Sequence, residues 1–287
     1  MSLASPSVHP MLAQRMVSGD VKVRRPVRSN RSAPDPTPPV ENASHRTEGW
    51  IRRGYALEES GYYEEAIASF ERAIMLDAAC LDAWQGRGIA LAQLGYFEEA
   101  LASFSRATKL NPADYRAWQN QGKVMMSLGR HREALAQFDR VLLLKMDSYK
   151  VWYHRALALD ALNKTQAALA SLDRALKLRP DCYYAWTAQG MLLNKLSRYG
   201  DAKASFDCSL RLRRGNFGAW YGKACCYALQ GWVSPAVENL QQALKCSPYV
   251  VRKMVRADRS FNMIRCTPQF QQAFQEEMPE PLPNWTR

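Results

Sequence analysis

Six tryptophans, Trp50, Trp84, Trp118, Trp152, Trp186 and Trp220, stand 34 residues apart with no insertion or deletion between them. A fixed period of that length marks a chain built from one supersecondary unit used repeatedly. Each unit stacks on the next because it cannot bury its apolar face alone. Aligning on the tryptophans makes the other columns legible. Small residues follow by four (Gly54, Gly88, Gly122, Ala156, Gly190, Ala224), alanines by sixteen (Ala66, Ala100, Ala134, Ala168, Ala202, Ala236), and large apolar residues by twenty (Phe70, Phe104, Phe138, Leu172, Phe206, Leu240). Three further on comes a small column again, as at Ala73 and Ala107. Spacings of three, four and seven describe helical faces, not strands.

Each unit therefore reads as two helices, the first carrying the Trp and the second the Ala-x-x-x-Phe pattern. Gly61, Gly95, Gly129 and Gly231, with Asn163 and Ser197 in the other two repeats, mark the turn between them, where a left-handed residue is needed. Glu64, Glu65, Glu98 and Glu99 fall in the first turn of the second helix, where the helix dipole favours acids, and Ser234-Pro235 reads as a cap and first-turn pair in the sixth. Pro112, Pro180 and Pro248 end units. Small residues let the helices approach, and Trp and Phe are expected to fill the space between hairpins.

This order of residues resembles the tetratricopeptide repeat (TPR) family, over six units at 47–80, 81–114, 115–148, 149–182, 183–216 and 217–250. The departures are Met146 and Arg214 where proline is usual, and Leu172 and Leu240 for Phe. The resemblance implies an all-α, right-handed solenoid of six helix-turn-helix repeats. Residues 251–275, with Phe261, Ile264, Phe270 and Phe274, are expected to cap the apolar end that a solenoid exposes. Residues 1–46, rich in Pro, Ser and Arg, and residues 276–287 are expected to be disordered tails.

The composition suits a folded chain: 47% of the 287 residues are hydrophobic. No apolar stretch has the length of a membrane span, and the first 20 residues hold no continuous signal-peptide core, so the expectation is a cytoplasmic protein, a monomer or weak oligomer. Seven cysteines without a C-x-x-C read as reduced thiols, not a disulfide framework or zinc site. The formal charge of +12 is uneven. Residues 47–80 hold three basic against seven acidic side chains, whereas 183–216 hold six against two, and the N-terminal tail adds a basic cluster from Lys22 to Arg31.

No phosphate-binding glycine loop, nucleophile elbow or zinc-protease helix is present. No enzyme activity, cofactor or metal is expected. The resemblance implies instead a concave face lined by the first helix of each hairpin. Its acidic end carries Glu48, Glu58, Glu59 and Asp82. The middle, a peptide-binding groove, brings together Arg116, Asn120, Lys123, Lys150, Tyr153, His154, Tyr184 and Asn194. Some TPR proteins clamp a C-terminal carboxylate with Lys, Asn, Asn, Lys and Arg. This chain matches at Asn120 and Lys150, puts His154 for the Arg, and departs at Gln85 and Ile89. The expectation is an adaptor or assembly scaffold that binds an acidic, extended protein segment through charge-assisted hydrogen bonds. The alternatives are a basic helical repeat that binds RNA or another nucleic acid, opposed by the acidic first repeat, and a regulatory subunit of an enzyme.

Overall fold

The computed structural model describes residues 43–275. They divide after Leu162 into two compact units. The first holds α1 (Ala43–Glu59), α2 (Tyr63–Leu76), α3 (Leu81–Leu94), α4 (Phe97–Leu110), α5 (Tyr115–Ser127), α6 (His131–Leu144) and α7 (Tyr149–Ala161). The second holds α8 (Thr165–Leu178), α9 (Tyr183–Lys195), α10 (Tyr199–Leu212), α11 (Phe217–Leu229), α12 (Val233–Cys246), α13 (Pro248–Ala257), a 3-10 turn at Arg259–Phe261, and α14 (Pro268–Gln275). No strand occurs among the described residues. The fold is all-α, with helices in consecutive pairs. The expected tails lie outside the described residues, except that α1 reaches back to Ala43 because no proline follows Pro39 to interrupt it.

The turns follow the chemistry of their residues. Gly95 takes φ 88°, and Asn163 and Ser197 take φ 58° and 59° at the equivalent points. Ser234 differs from expectation: α12 starts at Val233 with Trp232 as its N-cap, so Ser234 lies inside the first turn, where its hydroxyl donates to Gln269 of α14.

The core explains the glycine column. Phe70 is fully buried between two glycines: a Cβ on Gly54 would stand 2.6 Å from its Cε1, and one on Gly86 of the next repeat 2.3 Å from its Cζ. Phe206 sits in the same way between Gly190 and Gly222, at 2.6 and 2.3 Å. These are sub-contact distances, so each ring is seated on backbone.

The tryptophans do something other than fill space. They are only half-buried, and five indole N–H groups donate to the carbonyl six residues upstream: Trp84 to Ala78, Trp118 to Pro112, Trp152 to Met146, Trp186 to Pro180 and Trp220 to Arg214, at 2.8–3.0 Å. The acceptor is main-chain oxygen, which any residue supplies, and Met146 and Arg214 are accommodated for that reason.

A second 34-residue column links successive repeats. Arg87 pairs with Glu71 at 3.0 Å, Arg155 with Asp139 at 2.7 Å and Lys223 with Asp207 at 2.7 Å. Gln189 donates to Asp173 at 2.8 Å and Gln121 to Ser105 at 2.9 Å in the same register. In the second unit, α13, the 3-10 turn and α14 cover the last hairpin, burying Val251, Met254, Val255, Phe261, Ile264 and Phe270 against Tyr221, Leu240 and Leu244. The Tyr221 hydroxyl donates to Asp258 at 2.6 Å, and Arg265 donates to the carbonyls of Val255 and Asp258 at 3.0 Å each.

Candidate functional site

The first helices of the first unit, α1, α3, α5 and α7, carry the charged columns, and their polarity follows the order of the chain. At the α1 end, Tyr55 donates to the carbonyl of Asp82 at 3.3 Å. Burial first, and then the charges of Asp82 and Glu58, push its phenol up to about 12. Burial and neighbouring Glu59 raise Glu58 above the usual carboxylate range. This end repels further negative charge.

Asp114 joins that end to α5. As N-cap it accepts from the Arg116 backbone N–H at 2.9 Å, satisfying one of the helix's free donors. Its carboxylate also takes the Gln85 amide at 2.6 Å and the Arg116 guanidinium at 3.0 Å. Burial alone would raise its pKa; the hydrogen bonds from Arg116 and Gln85 outweigh that and hold it below the ordinary value. Arg116 lies a further 3.8 Å from Asp82. It is 54% exposed, yet much of its charge is already matched within the chain.

Beyond Arg116 the surface is basic. Asn120 and Lys123, three apart on α5, share a face, as do Lys150 and His154, four apart on α7. Asn120 and Lys123 are half-buried and Lys150 is exposed. His154 is only 8% exposed. Its ring stacks on Phe138 of α6 at 5.7 Å with planes 19° apart and meets Tyr153 edge-on at 5.5 Å. In the repeats on either side of this one, the unit before and the unit after use Asn120 and Ala188 in that column, whereas Gly86 and Gly222 admit a Phe ring. The His154 Nδ1 is buried without a hydrogen bond. Burial, then the charges of Lys123 and Lys150, lower its pKa to about 3, so the ring is neutral at pH 7. Tyr153 is also buried, so the solvent-facing groups of this cluster are Arg116, Asn120, Lys123 and Lys150.

Tyr184 and Asn194 belong to the second unit, on α9. Tyr184 is half-buried against the Tyr183 ring. Asn194 donates to the Gly222 carbonyl at 3.0 Å, leaving its own carbonyl buried without a hydrogen bond. Below them, Asn216 caps α11 and donates to Thr187 at 2.7 Å and Ser209 at 2.8 Å, the counterpart of Asp114 and Gln85. Sequence reasoning passed over these inter-repeat bonds, although Asp114 and Asn216 occupy the same place in their repeats. Among the described residues no group of three or more His, Cys, Asp and Glu side chains is placed to hold a metal ion, and no helix is long and apolar enough to cross a membrane.

Paired helices with a Trp-to-carbonyl bond at a 34-residue period define a helical-hairpin repeat protein. The tetratricopeptide repeat family model matches residues 51–115, 86–151 and 153–207, more than half of the chain, and the chain belongs to that family. Its repeats are protein-interaction scaffolds. Comparison with curated proteins found no match. Among solved structures, YrrB, a TPR protein described as having an unusual peptide-binding site, is 23% identical with a TM-score of 0.53, over 65% of this chain and 97% of that one. A TPR protein from Parabacteroides merdae is 18% identical with a TM-score of 0.65, over 82% and 95%. Pseudomonas aeruginosa pilF is 16% identical with a TM-score of 0.64, over 82% and 99%. At these identities the likeness is one of fold.

Proposed function

We propose that the protein is a non-enzymatic adaptor that binds an acidic, extended segment of a partner protein along α5 and α7. The observation that carries this reading is the placement of two ammonium groups, Lys123 and Lys150, on neighbouring first helices, where both act on the same buried imidazole. Asn120 adds an amide to that face, and Arg116 borders it. YrrB supplies a precedent for peptide binding by this fold. Tyr184 and Asn194 form a separate contact set on the second unit. The carboxylates at the α1 end oppose a long polyanion and favour a short acidic run, which argues for protein over nucleic acid.

The test uses a blocked decapeptide of alternating Glu and Gly, its Lys-Gly counterpart, and a single-stranded RNA of similar length, titrated into the full chain by calorimetry at low ionic strength. The Glu peptide should bind and the Lys peptide should not. Lys123→Glu with Lys150→Glu should weaken binding by at least about tenfold while far-UV circular dichroism is unchanged. Equal affinity in wild type and double variant would sink the proposal, and tighter binding of RNA than of peptide would replace it.

A further inference from the structure

The His154 ring packs against Phe138 and Tyr153 and still leaves a ring nitrogen unused. At this column the chain uses glycine over Phe70 (Gly86) and over Phe206 (Gly222), and Asn120 and Ala188 in the repeats on either side of His154. Over Phe138 it places an imidazole instead, buried and stacked, with Nδ1 unbonded. The groups around it are few. Lys123 comes from α5 and Lys150 from α7, while α6 contributes the apolar ring of Phe138 and α7 the neutral phenol of Tyr153. Among the described residues, the charges that act on the ring are those two ammoniums.

A buried base beside two cations stays neutral for two reasons: loss of water and repulsion. An acidic ligand alters the second. A carboxylate resting on Lys123 and Lys150 offsets their charge and sets a negative group near the ring. We infer that binding of an acidic segment at Lys123 and Lys150 is coupled to uptake of a proton by His154, so that this face holds its ligand more tightly in mildly acidic solution than at neutral pH. The inference rests on the proposed function above. The proton comes from solvent, and the resulting imidazolium has two donors and no acceptor, which suits a carboxylate neighbour. By linkage, whatever raises the proton affinity of the ring in the complex raises the ligand affinity by the same free energy as pH falls.

The experiment titrates the Glu-Gly decapeptide into the full chain at pH 7.5, 6.5 and 5.5, in buffer pairs of unlike ionisation enthalpy, so that calorimetry counts protons as well as affinity. The peptide carboxylates stay largely ionised over this range. Wild type should take up a fraction of a proton on binding, largest at pH 5.5, and gain at least about twofold in affinity from pH 7.5 to 5.5, since the ligand offsets the repulsion and leaves the burial in place. His154→Gln and His154→Phe, the second of which retains a ring against Phe138, should bind at pH 7.5 with neither proton uptake nor the gain. In the wild-type protein the His154 Cε1–H resonance should move toward the imidazolium position when peptide is added at pH 5.5, a readout that needs no variant.

Binding that depends on Lys123 and Lys150 but is proton-neutral, with a ring resonance that stays put, overturns the coupling and leaves the peptide face standing. Binding indifferent to both lysines, or absent at every pH, overturns both.

Discussion

The same substitution, Gly→Ala, should act with opposite signs at two points in the first unit, one away from Phe70 and one against it. At Gly49, in the middle of α1, an added Cβ meets nothing within 4 Å. The change there should follow helix propensity alone and stabilise by up to about 1 kcal/mol. At Gly86 the same methyl would lie 2.3 Å from Phe70 Cζ and 2.4 Å from its Cε1. The ring cannot swing clear, because it is fully buried and Gly54 closes its other side. Overpacking of this kind costs about 1–3 kcal/mol; after the propensity gain, Gly86→Ala should destabilise by up to about 2 kcal/mol. Urea denaturation followed by circular dichroism measures both, with hydrogen exchange assigning the loss to α2 and α3. Trimming the ring should relieve the clash, so Gly86→Ala should cost less in a Phe70→Leu background, with a coupling of about 1 kcal/mol. Stabilisation by Gly86→Ala equal to that of Gly49→Ala, or strict additivity with Phe70→Leu, would refute the seating of the ring on backbone.

Acid should unfold the free protein partly through His154. Its folded-state pKa of about 3 lies below the unfolded value of 6.5, so the stability it contributes is complete above pH 6.5 and is lost as pH falls toward 3, amounting to about 3 kcal/mol at pH 4. His154→Phe should remove that share of the slope between pH 6.5 and 4 in urea titrations; an unchanged slope contradicts the buried neutral ring. Trp118→Phe deletes the 2.9 Å bond to the Pro112 carbonyl and weakens the stacking of Arg140, whose guanidinium lies 4.2 Å from the indole centre. It should cost about 1–2 kcal/mol and speed hydrogen exchange in the loop at 111–114. An exchange pattern identical to wild type would show that the bond carries no load.

Much of this architecture is legible in the sequence because its determinants repeat. Gly54, Gly88, Gly122 and Gly190 face the Phe of their own repeat, and the spacing of four and twenty from Trp makes that contact readable without coordinates. The charge polarity is readable too, since Glu58 and Glu59 fall in the first repeat and Lys123 and Lys150 in the third and fourth. Two kinds of information were not. Burial of His154 depends on Phe138 and Tyr153 coming from different faces, so a side chain that looks like a solvent-facing ligand in its column is packed. Pairing is the other. Arg116 looks like a free groove cation until Asp114 and Asp82 are seen beside it, and Arg87, Arg155 and Lys223 look like surface charge until their partners 16 residues back are found. That ladder was present as a column, but a column states only what recurs, not what it touches.

The indole-to-carbonyl bond also holds the loop between repeats to one length. Each of these five tryptophans reaches back over six residues to an oxygen in the preceding inter-repeat loop, so it works as a length gauge. One residue added between Met146 and Trp152 would carry the acceptor out of register, whereas replacing the residue that bears it costs nothing in reach. Such a chain tolerates copying of whole units and rewriting of loop side chains, but resists any change in loop length.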